Sequence, residues 1–503
     1  MTASRAAFLY AGLTSALWAL LPSILFPNPP LDVVEGFAWG RELALGYTKH
    51  PPMQAWLLEL SYWVTGGGVF GAYWLSALCF AAGYACIWAL ARRLGQTDWA
   101  AFWAIVLTSV TFYFTLPAPE FNPNILQIPI WAGMILMFHR AVSAGRLVDW
   151  ALLGALAAFG LYTKYFVALL IGTIGLYTLL FPTARRWLRT PGPWLTAAVC
   201  AILMLPHLFW LIDHDFLTFS YAASRSRGPE GLIDHFYNPL NFLGAQIANH
   251  AGLFLVVLVG LGLTGLKLLR AREPICETVA GASLENDRFL LWFAFVPLAV
   301  VLAISAVTGN EFKHMWGTPM FVLSGVVATR FLGTPAVWPS ARRALLAAVS
   351  IQAIFLTVII GQALLEPHWK EKQTRIHYPG KATAIRLEEV WQTAQGTPLR
   401  FVAGDMWTAA HVTVFAPGRP SMFYSHDTVL SPWIDLNEVQ DHGLLIVWRG
   451  DREIPPPVIN RRYPDLARHG SFTVPYQSSA EIPPAIVNWA IVPPGSVATH
   501  RPE

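Results

Sequence analysis

Residues 150–181 read WALLGALAAFGLYTKYFVALLIGTIGLYTLLF. A helix needs about 20 mostly apolar residues to cross a bilayer, so this run is too long for one crossing. It is also interrupted by Tyr162-Thr163-Lys164-Tyr165, which puts a cation near its middle. The reading that fits both facts is a short hairpin of two helices with Lys164 at the tip. Apolar stretches of span length recur near residues 8–27, 70–91, 99–116, 124–139, 192–212, 247–268, 289–307, 315–332 and 344–364. With the hairpin they make about eleven crossings.

The hairpin sets the parity of the chain. Short cytoplasmic loops are enriched in Lys and Arg, and with Arg5 placed inside, every second loop is basic. The basic loops hold Arg92 and Arg93; Arg140 and Arg146; Arg185, Arg186 and Arg189; Lys267, Arg270 and Arg272; and Arg330, Arg342 and Arg343. One crossing over 150–181 would put the Arg185 cluster on the wrong side. The N-terminus is therefore expected in the cytoplasm and the C-terminus outside. The apolar stretch Phe8 to Phe26 runs a full span and ends in Pro-Asn-Pro-Pro instead of a small-residue cleavage site, which reads as a retained first helix.

Composition agrees with a chain mostly dissolved in lipid. Of 503 residues, 55% are hydrophobic and 13% charged, about half the charged share of a soluble domain. A net charge of +4, dealt evenly among loops, is no nucleic-acid footprint. Cys79, Cys86, Cys200 and Cys276 form neither a disulfide framework nor a metal-binding pair. From about residue 366 the composition turns to that of a soluble domain, with strand-like runs at Leu399–Ala403, Val412–Phe415, Leu444–Trp448 and Ala490–Val492. The expected organisation is a membrane domain over 1–365 and a small mixed α/β domain over 366–503.

The loops opposite the basic ones are chemically mixed. They carry Asp32, Glu35, Arg41, Glu42, Lys49, His50 and Glu59; then Glu120; then Lys164; then Asp213, His214, Asp215, Arg225 and Arg227; then Glu311, Lys313 and His314. In the first of them, aromatic and apolar residues at 37, 39 and 43 point to a short amphipathic helix lying on the membrane surface, followed after Gly46 and Pro51-Pro52 by a second. Asp32 falls near the start of that first helix, where the helix dipole favours a carboxylate, or where it serves simply as a cap.

The pattern Gly46-Tyr47-Thr-Lys49-His50-Pro51-Pro52-Met-Gln-Ala-Trp56, preceded by Trp39 and Asp32, resembles the first periplasmic loop of the family 39 and aminoarabinose-transferase-like glycosyltransferases of the C superfamily (GT-C). Pro119-Glu120 resembles that family's second-loop Pro-Asp, Thr163-Lys164-Tyr165 its Ser-Lys-Tyr, and Lys313-His314-Met-Trp316 its late His-Trp loop. The resemblance spans residues 8 to about 364. It implies a bacterial inner-membrane enzyme that moves a sugar from a polyprenyl-phosphate donor to an envelope acceptor (lipid A, glycan, lipid or protein), by direct inversion. Asp32 falls on the family's catalytic aspartate. Where the family has Asp-Glu together, Val33 follows Asp32 here and the glutamate comes at position 35, so both carboxylates stay candidates.

The residue types suit that chemistry. One carboxylate takes the acceptor proton as general base, and Glu120 orients the acceptor or supports the base. Lys49, His50, Lys164, Arg225 and Arg227 are the candidate donor-phosphate ligands, with Tyr47, Lys313 and His314 as candidate substrate contacts. Plainer roles stand beside these: a loop carboxylate at Glu120, snorkelling at Lys164, lipid headgroup contacts at Arg225 and Arg227. Asp213-His214-Asp215 reads as a solvated helix end, since adjacent loop residues seldom share one ion. No metal or other cofactor is expected. His411 and His426 read as surface or core histidines. The rival class, a transporter or flippase for a polar or lipid-linked solute, fits less well, because transporters carry internal repeats with matching broken helices and only one broken segment is visible.

Overall fold

The computed structural model describes residues 2–225, 228–270, 284–333, 340–370, 374–450 and 468–496. Arg227, Arg272 and Cys276 lie outside the described residues. The contacts divide the chain into two compact units. The first comprises Met1–Leu20, Tyr73–Phe209 and Phe219–Val358, and the second Leu21–Ala72, Trp210–Thr218 and Ile359–Glu503. The change of composition near residue 366 thus falls just inside the last segment of the second unit.

Among the described residues six helices are long and apolar enough to cross a membrane: Ala3–Leu25, Gly71–Arg93, Pro123–Ala144, Pro191–Asp213, Leu284–Thr308 and Ala341–Leu364. Two bent pairs add to them, Tyr165–Leu180 with Pro182–Arg189 at 96° and Asp234–Asn249 with Ala251–Gly262 at 49°. Two of the expected stretches are built otherwise. Residues 99–116 hold a helix over Asp98–Ser109 and a 3-10 turn over Phe112–Phe114, and residues 315–332 hold a 3-10 segment, His314–Phe321, then a helix over Ser324–Phe331. Twelve helical residues extend only about 18 Å, well short of the roughly 30 Å hydrocarbon core. The two short helices instead pack on each other, with Gly325 N donating to Thr108 Oγ1 at 3.2 Å.

The interruption at 162–165 is real. The Leu147–Thr163 helix stops at Lys164, whose backbone is extended (φ −166°, ψ 131°), and after a 3-10 turn at Tyr165–Val167 a new helix runs over Ala168–Leu180. The Lys164 carbonyl accepts from Gln127 Nε2 at 2.9 Å and from Val167 N at 3.1 Å, so the break leaves that backbone group with partners. Cations of the basic loops are paired as well, Arg140 with buried Asp149 at 2.8 Å and Arg330 with Asp287 at 2.6 Å.

The second unit carries a five-stranded mixed sheet in the order β2-β1-β3-β5-β4. Its strands are β1 (Phe401–Gly404), β2 (Ser421–Tyr424), β3 (Leu444–Arg449), β4 (Arg468–Val474) and β5 (Ala485–Val492). β1 runs parallel to β2 and β3, and β5 antiparallel to β3 and β4. Phe401, Ala403, Phe423, Leu444, Ile446, Ala490 and Val492 form its core. The expected strand over Val412–Phe415 is instead the end of a helix, Met406–Phe415. Asp405 caps it, accepting from Trp407 N and Thr408 N at 2.9 and 3.0 Å. Because the helix is buried on every side from Met406 to Val414, its apolar β-branched run shows no helical period, and burial overrides the strand propensity of Val412-Thr413-Val414.

The loop after the first helix belongs to this second unit. It forms two helices, Leu31–Gly40 and Met53–Val64, but the first is not an amphipathic surface helix: Val33 through Gly40 are all buried. It packs against both the Met53–Val64 and Met406–Phe415 helices. Gly36 and Gly40 lie one turn apart on the face toward Met53–Val64, and a Cβ at either would run into Leu58 or the Ala55 carbonyl. Small residues at that spacing let two helix backbones approach closely.

Candidate active site

The candidate residues fall into two groups, one in each unit. In the second unit, Asp32 is the second residue of the Leu31–Gly40 helix and is half-buried. Pro30 occupies the cap position without a side-chain bond, so Asp32 does not cap the helix. It lies in the first turn, where unpaired N–H groups favour negative charge. Its backbone carbonyl accepts from Gln54 Nε2 at 3.0 Å, a second tie to the Met53–Val64 helix. Glu35, one turn on, is buried and ion-paired with Lys49. Lys49 Nζ also lies 5.9 Å from the Trp39 ring centroid. Lys49, named from the sequence as a phosphate ligand, is therefore engaged with a carboxylate.

Tyr47 has no exposed surface. Its ring stacks on Trp39 at 5.2 Å, its hydroxyl donates to Trp39 O at 2.7 Å, and its carbonyl accepts from Thr218 Oγ1 at 2.8 Å. That arrangement braces the loop and leaves the tyrosine no face for a substrate. The carbonyl of His50 accepts from Tyr47 N at 3.2 Å, which closes the turn ahead of Pro51-Pro52 and keeps the half-buried imidazole at its rim.

A network that sequence reasoning missed lies behind these residues. Arg419 donates to both carboxylate oxygens of buried Glu59, at 2.7 and 2.8 Å, and its guanidinium sits 4.0 Å over the Tyr62 ring. Arg41 donates to the Arg419 carbonyl and, at 2.8 Å, to Ser421 Oγ, which in turn donates to Glu42 at 3.1 Å. Burial raises the Glu42 carboxyl above its usual range even with Arg41 beside it. Breaking a buried, bidentate pair from one side typically costs about 3–5 kcal/mol. The local signals were weak: a lone arginine in Pro417-Gly-Arg-Pro420 and an acid on an apolar helix. The Gly36/Gly40 spacing was the one visible clue to the helix packing.

His411, read as a surface or core histidine, is a core residue. Its Nε2 lies 2.9 Å from Asn28 Oδ1 and its Nδ1 2.6 Å from Trp407 O, and burial pushes its pKa down to about 4. His214 stacks on Trp210 at 4.4 Å with Nδ1 2.8 Å from the Trp210 carbonyl. Among the described residues no group of three or more His, Cys, Asp or Glu side chains is arranged to hold a metal ion.

In the first unit, Lys164 stands at the helix break. Its ammonium donates to Asn124 Oδ1 at 2.7 Å and lies 5.1 Å from the Trp316 ring centroid. Asn122 caps the helix that carries Asn124, so Pro119-Glu120-Phe-Asn122 is a helix-entry segment with Glu120 half-buried two residues before the cap. Lys313 pairs with Glu311 at 2.9 Å. The His314 side chain is exposed, while its carbonyl accepts from Tyr113 and Gln246 at 2.6 and 3.1 Å, which anchors the Trp316 loop. Arg225 ends the Leu217–Arg225 helix. Next to Lys164, Tyr165 and Phe166 open an almost wholly apolar cavity of about 440 Å³, lined further by Leu169, Leu176, Val300 and Ile304.

The structure thus combines apolar helices of span length, a mixed-sheet second unit, acids in the loop after the first helix and a lysine at a broken helix. Residues 49–210 match the family described as dolichyl-phosphate-mannose-protein mannosyltransferase. The chain is 23% identical over 421 residues to lipid A galacturonosyltransferase RgtD of Rhizobium johnstonii, covering 80% of this chain and 83% of that one. It is likewise 23% identical over 440 residues to the lipopolysaccharide core galacturonosyltransferase RgtB of the same organism, covering 85% and 84%. The fold matches that of ArnT from Cupriavidus metallidurans bound to undecaprenyl phosphate, with a TM-score of 0.58 at 14% identity over 99% of this chain and 98% of that one. These likenesses are all to membrane glycosyltransferases, and they accompany a scaffold with several helices long and apolar enough to cross a membrane.

Proposed function

We propose that the enzyme transfers a sugar, with inversion, from a polyprenyl-phosphate carrier to an envelope lipid or glycan at the periplasmic face. The observation that supports the donor is Lys164 at a helix break, directly before Tyr165 and Phe166, which line an apolar cavity of about 440 Å³ that Lys164 itself does not line. A lipid phosphate asks for that combination, since a charge-assisted bond meets the head while apolar walls meet the chain. The two carboxylates divide by environment. Glu35 is buried and spent on Lys49, whereas Asp32 is half-buried at a helix start, which suits a base that must reach an incoming hydroxyl. Glu120 orients the acceptor, and His50 and the 225–227 segment are further candidates for the phosphate. The relatives named for lipid A and lipopolysaccharide core point to acceptors of that class and to a uronic acid as the sugar.

The test is to incubate membranes holding the protein with radiolabelled polyprenyl-phosphate sugars and extract the lipid fraction. Label is expected to move into lipid A or core, and to move equally after treatment with EDTA, because the reading needs no metal. Retention of all label on the carrier with every acceptor offered would overturn it.

The reading also places the N-terminus in the cytoplasm and the C-terminus in the periplasm. A periplasmic-active reporter fused after Glu366 is expected to be active, and a cytoplasm-active reporter after Arg189 likewise. A cytoplasmic signal at residue 366 would put Asp32 on the wrong side and end the proposal.

A further inference from the structure

We infer that Arg419 is a positioning residue for transfer: it fixes the helix that carries Asp32, and so acts on the reaction without touching either substrate. The inference rests on the reading of Asp32 given above. Three observations carry it. First, the guanidinium is divided between the two outer-loop helices, donating twice to Glu59 on Met53–Val64 and reaching Phe37 O on Leu31–Gly40 at 3.4 Å. Second, its own backbone carbonyl receives Arg41, which follows the end of the Asp32 helix. The one residue thus grips that helix by both its side chain and its main chain. Third, Arg419 holds a left-handed backbone (φ 44°) that non-glycine residues seldom adopt, between Gly418 and Pro420 and directly before β2. Strain of that kind persists only where the surroundings over-determine it, and it collects at sites where geometry matters.

A purely structural ion pair has no need of this arrangement. The Leu31–Gly40 helix is already packed through Gly36 and Gly40 against Met53–Val64. Packing of the Gly36/Gly40 face opposes separation of the helices more than sliding along the axis. Gln54 on the Asp32 carbonyl opposes sliding at one end of the helix, and the donor to Phe37 O with the acceptor for Arg41 opposes it at the other. A shift of about 1 Å in a reacting group costs on the order of 10²-fold in rate.

The test compares Arg419→Gln, Glu59→Gln and the double variant in the detergent-solubilised full chain, with melting, kcat and KM for the polyprenyl-phosphate sugar read on each. The single variants leave one buried charge unpaired and are expected to melt lower. The double variant removes both charges and leaves no buried charge unpaired, so its melting is expected to return part of the way toward that of the parent, short of it by the lost cover on Tyr62. Its kcat is expected to stay down by roughly 10- to 100-fold with KM changed less than about twofold, because a pair of amides does not hold the helix in register. A double variant with parental kcat, or one in which KM alone moves, would overturn the inference. Asp32→Asn in the same assay separates the two claims: if it keeps full activity while the double variant is slow, the base assignment falls, and what Arg419 positions is another group on the same helix, with Glu35 the one to test.

Discussion

Asp32→Asn is expected to abolish sugar transfer, by at least about 10²-fold, the usual contribution of a general base, while expression and donor binding stay near those of the parent. Asparagine keeps the shape of the side chain but accepts no proton at neutral pH. The competing view, that Asp32 only supports its helix, forecasts little: Pro30 holds the cap, so the change removes a first-turn charge worth about 0.3–1 kcal/mol. Glu35→Gln is the control. It strips Lys49 of its partner and is expected to lower melting while the folded fraction still turns over. If Glu35→Gln kills transfer and Asp32→Asn spares it, the base lies one turn later. If both variants stay active, the first-loop carboxylates are structural and the mechanism is dropped.

Lys164→Ala is expected to slow the reaction about tenfold to a hundredfold at limiting donor, and less at saturation. A charge-assisted bond to phosphate is worth on the order of 1.5–3 kcal/mol. Removing the ammonium leaves buried Asn124 without that donor and half-buried Trp316 without its cation, so melting is expected to fall somewhat and the rates are read on the folded fraction. His50→Ala is expected to act in the same direction with a smaller effect. Initial rates across a donor titration decide the matter, and donor dependence unchanged in both variants would reassign these residues to lipid headgroups.

Much of the architecture was legible because membrane burial writes itself into local sequence. The cation in 150–181 marked a true break at Lys164, and the Gly-Pro turn before Met53 separated two helices as expected. The apolar runs at 399–403, 444–448 and 490–492 fell within or beside β1, β3 and β5. The failures share one cause, contact with residues far away in the chain. The Met406–Phe415 helix lost its helical period because it is covered all round, and the Leu31–Gly40 helix looked amphipathic because its cover arrives from residues beyond 400. Tyr47 looked like a binding residue because its polar tip was visible and its buried partner, the Trp39 carbonyl, was not. Hydropathy likewise could not tell one 18-residue span from a 12-residue helix followed by a turn, as at 98–114.

The non-contiguous make-up of the second unit has a consequence for how the chain is made. Glu59 and Arg419 are 360 positions apart, and at about 5–20 residues per second of synthesis the acid waits on the order of 20–70 s for its partner. Throughout that time the Leu31–Gly40 helix has no Met406–Phe415 helix to cover it, although most of the intervening spans have already been threaded into the bilayer. The loop that carries Asp32 therefore cannot mature as it emerges. The Leu31–Gly40 helix gains its cover only once the chain through Phe415 has been made, so a ribosome that stalls before codon 419 leaves behind a protein whose Glu59 has no Arg419 to pair with.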